Sequence, residues 1–501
     1  MTSFVPYNMA ALITLLMGVL IHLAHVSEAA PISTLRNVTV ERGISWPIVP
    51  GHALLIRQAD HQRPMRTYNA TETGRRRLEA VNAITNAAFL TGKHLRFYLE
   101  VGVGNRVTFL SSLMLDINAG LTWLQCRPCN PCYDQINPIF HLTGEDSDSL
   151  QRMASTSLAC QHVPGRLDVP PESDCLYRYV QNPHDGSYTK GTLVADDFVL
   201  TGHDPDSVYI GHNVMFGCST VNRVPFTGPA GVLALGLNYP HALQNQLPAR
   251  LNLPDNTFSY CLSYDKYHAQ GLLTFGGPIP EGTIFTPLVT NPNPIMQHIY
   301  YVTLLGISFG RDLLPIPQYI FDINRDTGTG GVMFNTVQAL TMLPGVAYDI
   351  FRDNVLDAIV YSSRPEDEQM LEEADTTGFD LCFQPKRGTH NGMRYFYQIA
   401  RLFENLPPIV FHFAGGASLE IPWMNILVPV NRDLARQYVG HTTQRERRVC
   451  MLVTRSPASW LPTILGNHLQ IGTRVTIDTQ NQRVGFTPRH CDIPPQYYRR
   501  H

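Results

Sequence analysis

Two short turns carry the residue types that could do chemistry. In SSLMLDINAGLTWLQC (111–126), Asp116 ends an apolar run. An acidic side chain in such a setting is rarely kept unless it is paired, hydrogen-bonded or used. In GVMFNTVQALTML (331–343), Asn335 holds the matching place. Residues 112–124 and 331–343 share one pattern: three apolar residues, Asp or Asn, a three-residue turn, then an apolar-Thr-apolar tail. That echo predicts a duplicated lobe. Paired carboxylates would hold a water and share one proton, because like charges about 3 Å apart cannot both ionise. Here one partner is a carboxamide, which can polarise a carbonyl but cannot take or return a proton.

Other candidates are set aside. RDTGTGG contains Asp326-Thr327-Gly328-Thr329, but no apolar strand precedes it and Gly330-Gly331 follow at once, so it reads as a hairpin loop. Asp478 follows a strand, yet Gln480 and Asn481 make an ordinary polar turn. CRPCNPC (126–132) has the spacing of a metal or redox motif. No Cys/His cluster with ligand spacing follows it, so no metal or other cofactor is expected and disulfides are the reading.

The elements around these turns follow from the totals. With 38 basic and 41 acidic residues, the net charge of -3 offers no footing for nucleic acid. Hydrophobic residues at 44% support a real core, and 37 Gly with 37 Pro favour short strands between turns. AALITLLMGVLIHLAHV (10–26) followed by SEAAP reads as a signal peptide over 1–29, cut between Ala29 and Ala30. The alternative is an uncleaved anchor, for which the run is short. The mature chain is therefore expected to be soluble, outside the membrane and secreted or vacuolar, with its ten cysteines in disulfides.

Residues 30–94 are polar, Arg-rich and cysteine-free, with sequons at Asn37 and Asn69 as possible glycosylation sites. They read as a propeptide, in which TETGRRRLEAVNAITNAAFL is predicted to be a helix from its spacing between Leu78 and Phe89. From about residue 95 the texture becomes short strands. Helices are predicted late, in GVAYDIFRDNVLDAIVYS and MRYFYQIARLFENL. The fold class is all-β dominated.

In this setting the chain resembles the pepsin-like aspartic endopeptidases, in the plant nepenthesin-like branch, and is similar to the cereal xylanase-inhibitor scaffold. TWLQCRPCNPCYDQINPIF is similar to that branch's cysteine-bearing insert. FGCS, GPAGVLALGL, FSYCL, LLTFGG, TPLV, YYVTLLGIS, LPPIVFHFAGGASLEIP and ILGNHLQIGTRVTIDTQNQRVGFTPRHC follow in the family's order. The resemblance implies a bilobal fold with a central cleft, an N-terminal lobe over 95–283, a C-terminal lobe over 284–501, and a Cys382–Cys450 disulfide. It also implies a catalytic pair at Asp116 and Asn335, the second position being degenerate.

Each turn in the family reads Asp-Thr/Ser-Gly-Ser/Thr. The first hydroxyl grips the opposite lobe, Gly allows a tight backbone, and the later hydroxyl supports the carboxylate. Here the first turn continues Ile117-Asn118-Ala119 and the second Thr336-Val337-Gln338. Ile117 cannot grip, Ala119 has no side-chain hydrogen bond to give, and Thr336 still can grip. Val337 replaces glycine, which is costly if the turn needs a left-handed backbone; Asn118 tolerates that better. In the flap, Asp185, Gly186 and Ser187 survive, Gln181 stands where Tyr is expected, and Pro183-His184 is an insertion. Ala234 in Leu233-Ala234-Leu235-Gly236 is a milder departure.

Three functions follow: a catalytically impaired homologue that binds a peptide or protein, an active acid endopeptidase with an unusual site, and a structural or storage protein. The divergence at the two turns favours the first or third. A monomer is expected, because the two lobes already supply the pair.

Overall fold

The apolar run before Asp116 becomes a strand, Leu110–Asp116, with five consecutive buried residues. Such a strand is covered on both faces, as in the middle of a layered structure. The computed structural model describes residues 81–90, 94–105, 109–182, 187–201, 208–224, 227–237, 247–251, 257–262, 271–361, 371–374, 379–385, 403, 406–429 and 448–488. The expected signal peptide, both sequons, flap residues Asp185 and Gly186, and nearly all of the helix expected at 393–406 lie outside them.

Both halves repeat one crossing. In the first, Gly231–Ala234 runs parallel to Leu110–Asp116 and antiparallel to Trp123–Arg127. In the second, Thr463–Leu465 runs parallel to Val332–Phe334, and Ile464 pairs antiparallel with Met342 of Thr341–Leu343. The sequence echo is thus a structural duplication. A six-stranded antiparallel sheet joins the halves, in the order Val81–Leu90, Gly271–Phe275, Thr257–Cys261, Thr473–Asp478, Arg483–Pro488, Ile284–Val289. Its central pair, Thr257–Cys261 with Thr473–Asp478, takes one strand from each half.

Val81–Leu90 corrects one expectation. It is a strand, not a helix, and it pairs with Gly271–Phe275 on one side and His94–Val103 on the other. Short apolar stretches with β-branched residues fit either period, and pairing with segments distant in sequence overrides local preference. Part of the stretch read as propeptide therefore belongs to the sheet.

The late helix forms as predicted, over Gly345–Tyr361. It buries Ala347, Tyr348, Phe351, Val355 and Ile359, one stripe at helical spacing. The main core spans both halves, from Phe97, Leu113 and Phe216 to Phe334, Phe413 and Phe486. Trp123 and Phe140 are fully buried, and Tyr133 packs edge-on against Trp123 at 6.5 Å between centroids.

Four disulfides lie among the described residues: Cys126–Cys218, Cys129–Cys132, Cys160–Cys175 and the expected Cys382–Cys450. The last joins residues paired across neighbouring strands. All three sulfurs of CRPCNPC are thereby consumed. Among the described residues no helix is long and apolar enough to cross a membrane.

Glycine is required where the crossing is tightest. A Cβ on Gly466 would sit 2.4 Å from the Ala339 carbonyl oxygen and 2.5 Å from that of Leu340. Gly466→Ala is expected to cost about 2–3 kcal/mol, because backbone must move to admit the methyl. A lower urea midpoint at unchanged slope checks this; an unchanged midpoint contradicts it.

Candidate active site at the crossing of the two turns

The crossings bring the two predicted turns together, and backbone and side chains of both interlock. Thr336 donates from Oγ1 to the Leu115 carbonyl at 2.8 Å and accepts from the Ile117 N–H at 3.3 Å. One half of the expected grip is therefore present, with Thr336 fully buried. Ile117 cannot supply the other half, and its side chain is instead fully buried in the main core. The reciprocal bond comes from Asn118, whose Nδ2 donates to the Phe334 carbonyl at 2.6 Å. Phe334 precedes Asn335 as Leu115 precedes Asp116, so Asn118 replaces the missing hydroxyl from one position further along.

A second expectation is corrected here. Neither Asn118 nor Val337 has a positive φ; among described non-glycine residues only Asn213 and Gln482 do. The turns close instead through side-chain oxygens. Asp116 Oδ1 accepts from the Asn118 N–H at 2.8 Å. Asn335 Oδ1 accepts from the Val337 and Gln338 N–H groups, both at 2.8 Å. These are Asx-type turns, made here without a positive φ, so Val337 carries no such strain. Ala119 also contributes through its backbone, donating to Asp116 where its side chain cannot.

Apolar packing replaces polar support around the pair. Ala119 is buried with Met114, Trp123, Val232 and Ala234. Val337 reaches from the opposite turn onto the same cluster, as does Tyr179 from the flap strand. Gln338 is buried. Gln181 lies on the flap strand Leu176–Asn182, and Ser187, buried, begins the returning strand opposite Asn182.

Residues missed in the sequence hold the second turn from behind. Asn467 donates to the Thr336 carbonyl at 2.9 Å. Gln470 Nε2 donates to the carbonyls of Asn335, Leu465 and Gly466 at 3.1, 2.8 and 3.2 Å, while its oxygen accepts from Tyr260 at 2.6 Å. Both lie in ILGNHLQIG, and their polarity amid an apolar run was the available signal. His468 between them is buried, and that burial pushes its pKa down to about 4. The rejected acids behave as read. Asp326 sits in a loop closed by Asn324 and Thr329, and Asp478 accepts from Arg483 and Asn481 in its own hairpin turn.

Asp116 is partly buried. Loss of solvation raises its pKa from the usual 3.8 to about 6, against the pull of the Asn118 and Ala119 N–H groups. Above pH 6 the pair presents one carboxylate and one carboxamide. Below it, both groups are neutral. Asn335 has its oxygen committed to two N–H donors, so its remaining polar group, Nδ2, can only donate.

Comparison with known proteins places this geometry. The family models described as xylanase inhibitor N-terminal and xylanase inhibitor C-terminal match residues 97–277 and 299–488. The chain is 29% identical over 495 residues to aspartic proteinase nepenthesin-2 of Nepenthes gracilis, across 95% of this chain and 98% of that protein. It is 30% identical over 407 residues to an aspartyl protease family protein of Arabidopsis thaliana, across 79% and 72%. Among solved structures it resembles edgp, with a TM-score of 0.60 at 16% identity over 83% of this chain and 96% of that one. It also resembles basic 7S globulin from soybean, with a TM-score of 0.56 at 18% identity over 82% and 96%. These two show the fold.

Two outcomes follow from the site. Asn118→Ala leaves the Phe334 carbonyl unpaired at the crossing and is expected to cost about 1–3 kcal/mol; an unchanged urea midpoint contradicts that role. A folded-state pKa above the unfolded one makes ionisation of Asp116 unfavourable to folding. That penalty is fully present above about pH 6 and vanishes below about pH 4. Asp116→Asn is therefore expected to raise stability by up to about 3 kcal/mol at pH 7.5 and hardly at all at pH 3.5. Equal gains at both pH values contradict the raised pKa.

Proposed function

We propose a function from one premise: the chain belongs to the pepsin-like aspartic-protease family, in its nepenthesin-like branch, which shares the xylanase-inhibitor scaffold. Its role is to bind a peptide or protein in the cleft, with peptide hydrolysis weak or absent. The observation that carries this reading is Asn335, whose amide oxygen is held by two backbone N–H groups opposite an Asp116 that becomes neutral below about pH 6.

Hydrolysis by this fold needs a base to take a proton from water and an acid to return one. In acid, Asp116 holds its own proton and Asn335 has none to exchange, so the pair offers donors and no base. Above pH 6, Asp116 can accept a proton, but no neighbouring acid then polarises the substrate carbonyl; the amide supplies only a hydrogen bond. Losing one general acid–base partner costs on the order of 10²–10⁴-fold. Donors facing a cleft remain well suited to holding a peptide carbonyl.

The chain acts as a monomer in an oxidising compartment outside the cytosol, reached through the N-terminal signal. The absence of free cysteines among the described residues supports that setting.

Digestion of denatured protein by the mature chain at pH 3–5, with and without a statine-type transition-state mimic, tests the reading. No mimic-sensitive turnover is expected, together with measurable binding of peptides. Turnover at the rates ordinary for the family overturns it in favour of an active endopeptidase. Asn335→Asp alone is expected to stay at least about 10²-fold below such rates, because Ile117 and Ala119 still carry no hydroxyl and Val337 still occupies a glycine position. Full recovery by that single change contradicts the account.

A further inference from the structure

The four disulfides among the described residues are not alike. Cys126 and Cys218, Cys160 and Cys175, and Cys382 and Cys450 are each at most 2% exposed. In the fourth, Cys132 is exposed and Cys129 half-buried. It also closes the shortest loop, with a separation of 3 residues against 92, 15 and 68 for the others. A cross-link stabilises a fold chiefly through the chain entropy it removes from the unfolded state, and that grows with loop length. Of these four, this bridge therefore contributes least to the fold.

The loop does not depend on the bridge for its shape. Inside it, the Asn130 N–H donates to the Thr220 carbonyl at 2.8 Å, and the Asn222 N–H donates to the Pro131 carbonyl at 3.2 Å. Just after it, Gln125 clamps Tyr133, accepting from its N–H at 2.8 Å and donating to its carbonyl at 2.9 Å. Gln125 is fully buried, and Tyr133 is fixed again against Trp123. Hydrogen bonds thus hold the middle of the loop, and hydrogen bonds with packing hold its C-terminal flank, when the sulfurs part.

We propose that Cys129–Cys132 is a thiol-exchange site on the surface of the N-terminal insert, opened by small thiols and dithiols while the buried disulfides stay closed. An external thiolate attacks the exposed Cys132 sulfur, the Cys129–Cys132 bond breaks, and Cys129 leaves as a thiolate that takes up a proton. A monothiol stops there as a mixed disulfide on Cys132. A dithiol closes on itself, releasing Cys132 as a thiol; the protein disulfide is reduced and the dithiol oxidised. The reactivity rests on access and loop geometry alone, and so stands apart from the reading of the cleft.

Native, full-length mature protein is titrated with dithiothreitol, alkylated, and mapped by mass spectrometry. Alkylation of Cys129 and Cys132 is expected at least about tenfold faster than at any other cysteine, with far-ultraviolet circular dichroism unchanged. Incubation with reduced glutathione is expected to add one glutathione, on Cys132. The double variant Cys129→Ser, Cys132→Ser is expected to fold, to melt within a few degrees of the parent and to lose the fast-reacting pair. Three results each overturn the proposal: earlier opening of a buried pair, no opening until the protein unfolds, or failure of the double variant to fold.

Discussion

The structure depends on an interlock at the bottom of the cleft. Thr336 ties its turn to the opposite strand through the Leu115 carbonyl and the Ile117 N–H, and Asn118 returns the tie through the Phe334 carbonyl. All of these groups lie where water has little access, so a missing partner would cost more than an ordinary surface hydrogen bond returns. That constraint fixes the distance between the two halves. It also explains how the chain carries Ile117 where a hydroxyl residue is expected: the lost donor is replaced by a longer side chain one residue later.

The grip, the crossing strands and the supporting Asn467 and Gln470 hold the two turns against each other. The atoms presented by that geometry are those of one acid and one amide. Burial then works against the acid, because loss of solvation makes Asp116 harder to ionise despite the Asn118 and Ala119 N–H groups. Ala119 stands where a side-chain hydroxyl is expected, and it packs with Val337 in one apolar cluster beside the turn.

Much of the architecture was legible in order of residues. The echo between 112–124 and 331–343 announced the duplicated crossing, the helical stripe in Gly345–Tyr361 was visible from its spacing, and the Asp-Thr-Gly-Thr decoy at 326–329 could be rejected for want of a preceding strand. Val81–Leu90 was misread because its partners, Gly271–Phe275 and His94–Val103, decide its conformation and only one of them is near in sequence. Likewise the glycine positions of the turns suggested a left-handed backbone, whereas side-chain oxygens of Asp116 and Asn335 close both turns without it.

By itself the sequence determined what can ionise. An amide at position 335 is an amide in any surroundings, and its inability to carry a proton is a covalent property. Tertiary structure alone decided which atoms meet: that Asn118 crosses to Phe334, that Gln470 steadies Asn335, and that Asp116 loses enough water to hold its proton up to about pH 6. Those outcomes depend on solvation and on contacts spanning more than a hundred residues, and neither is encoded in any local stretch of chain.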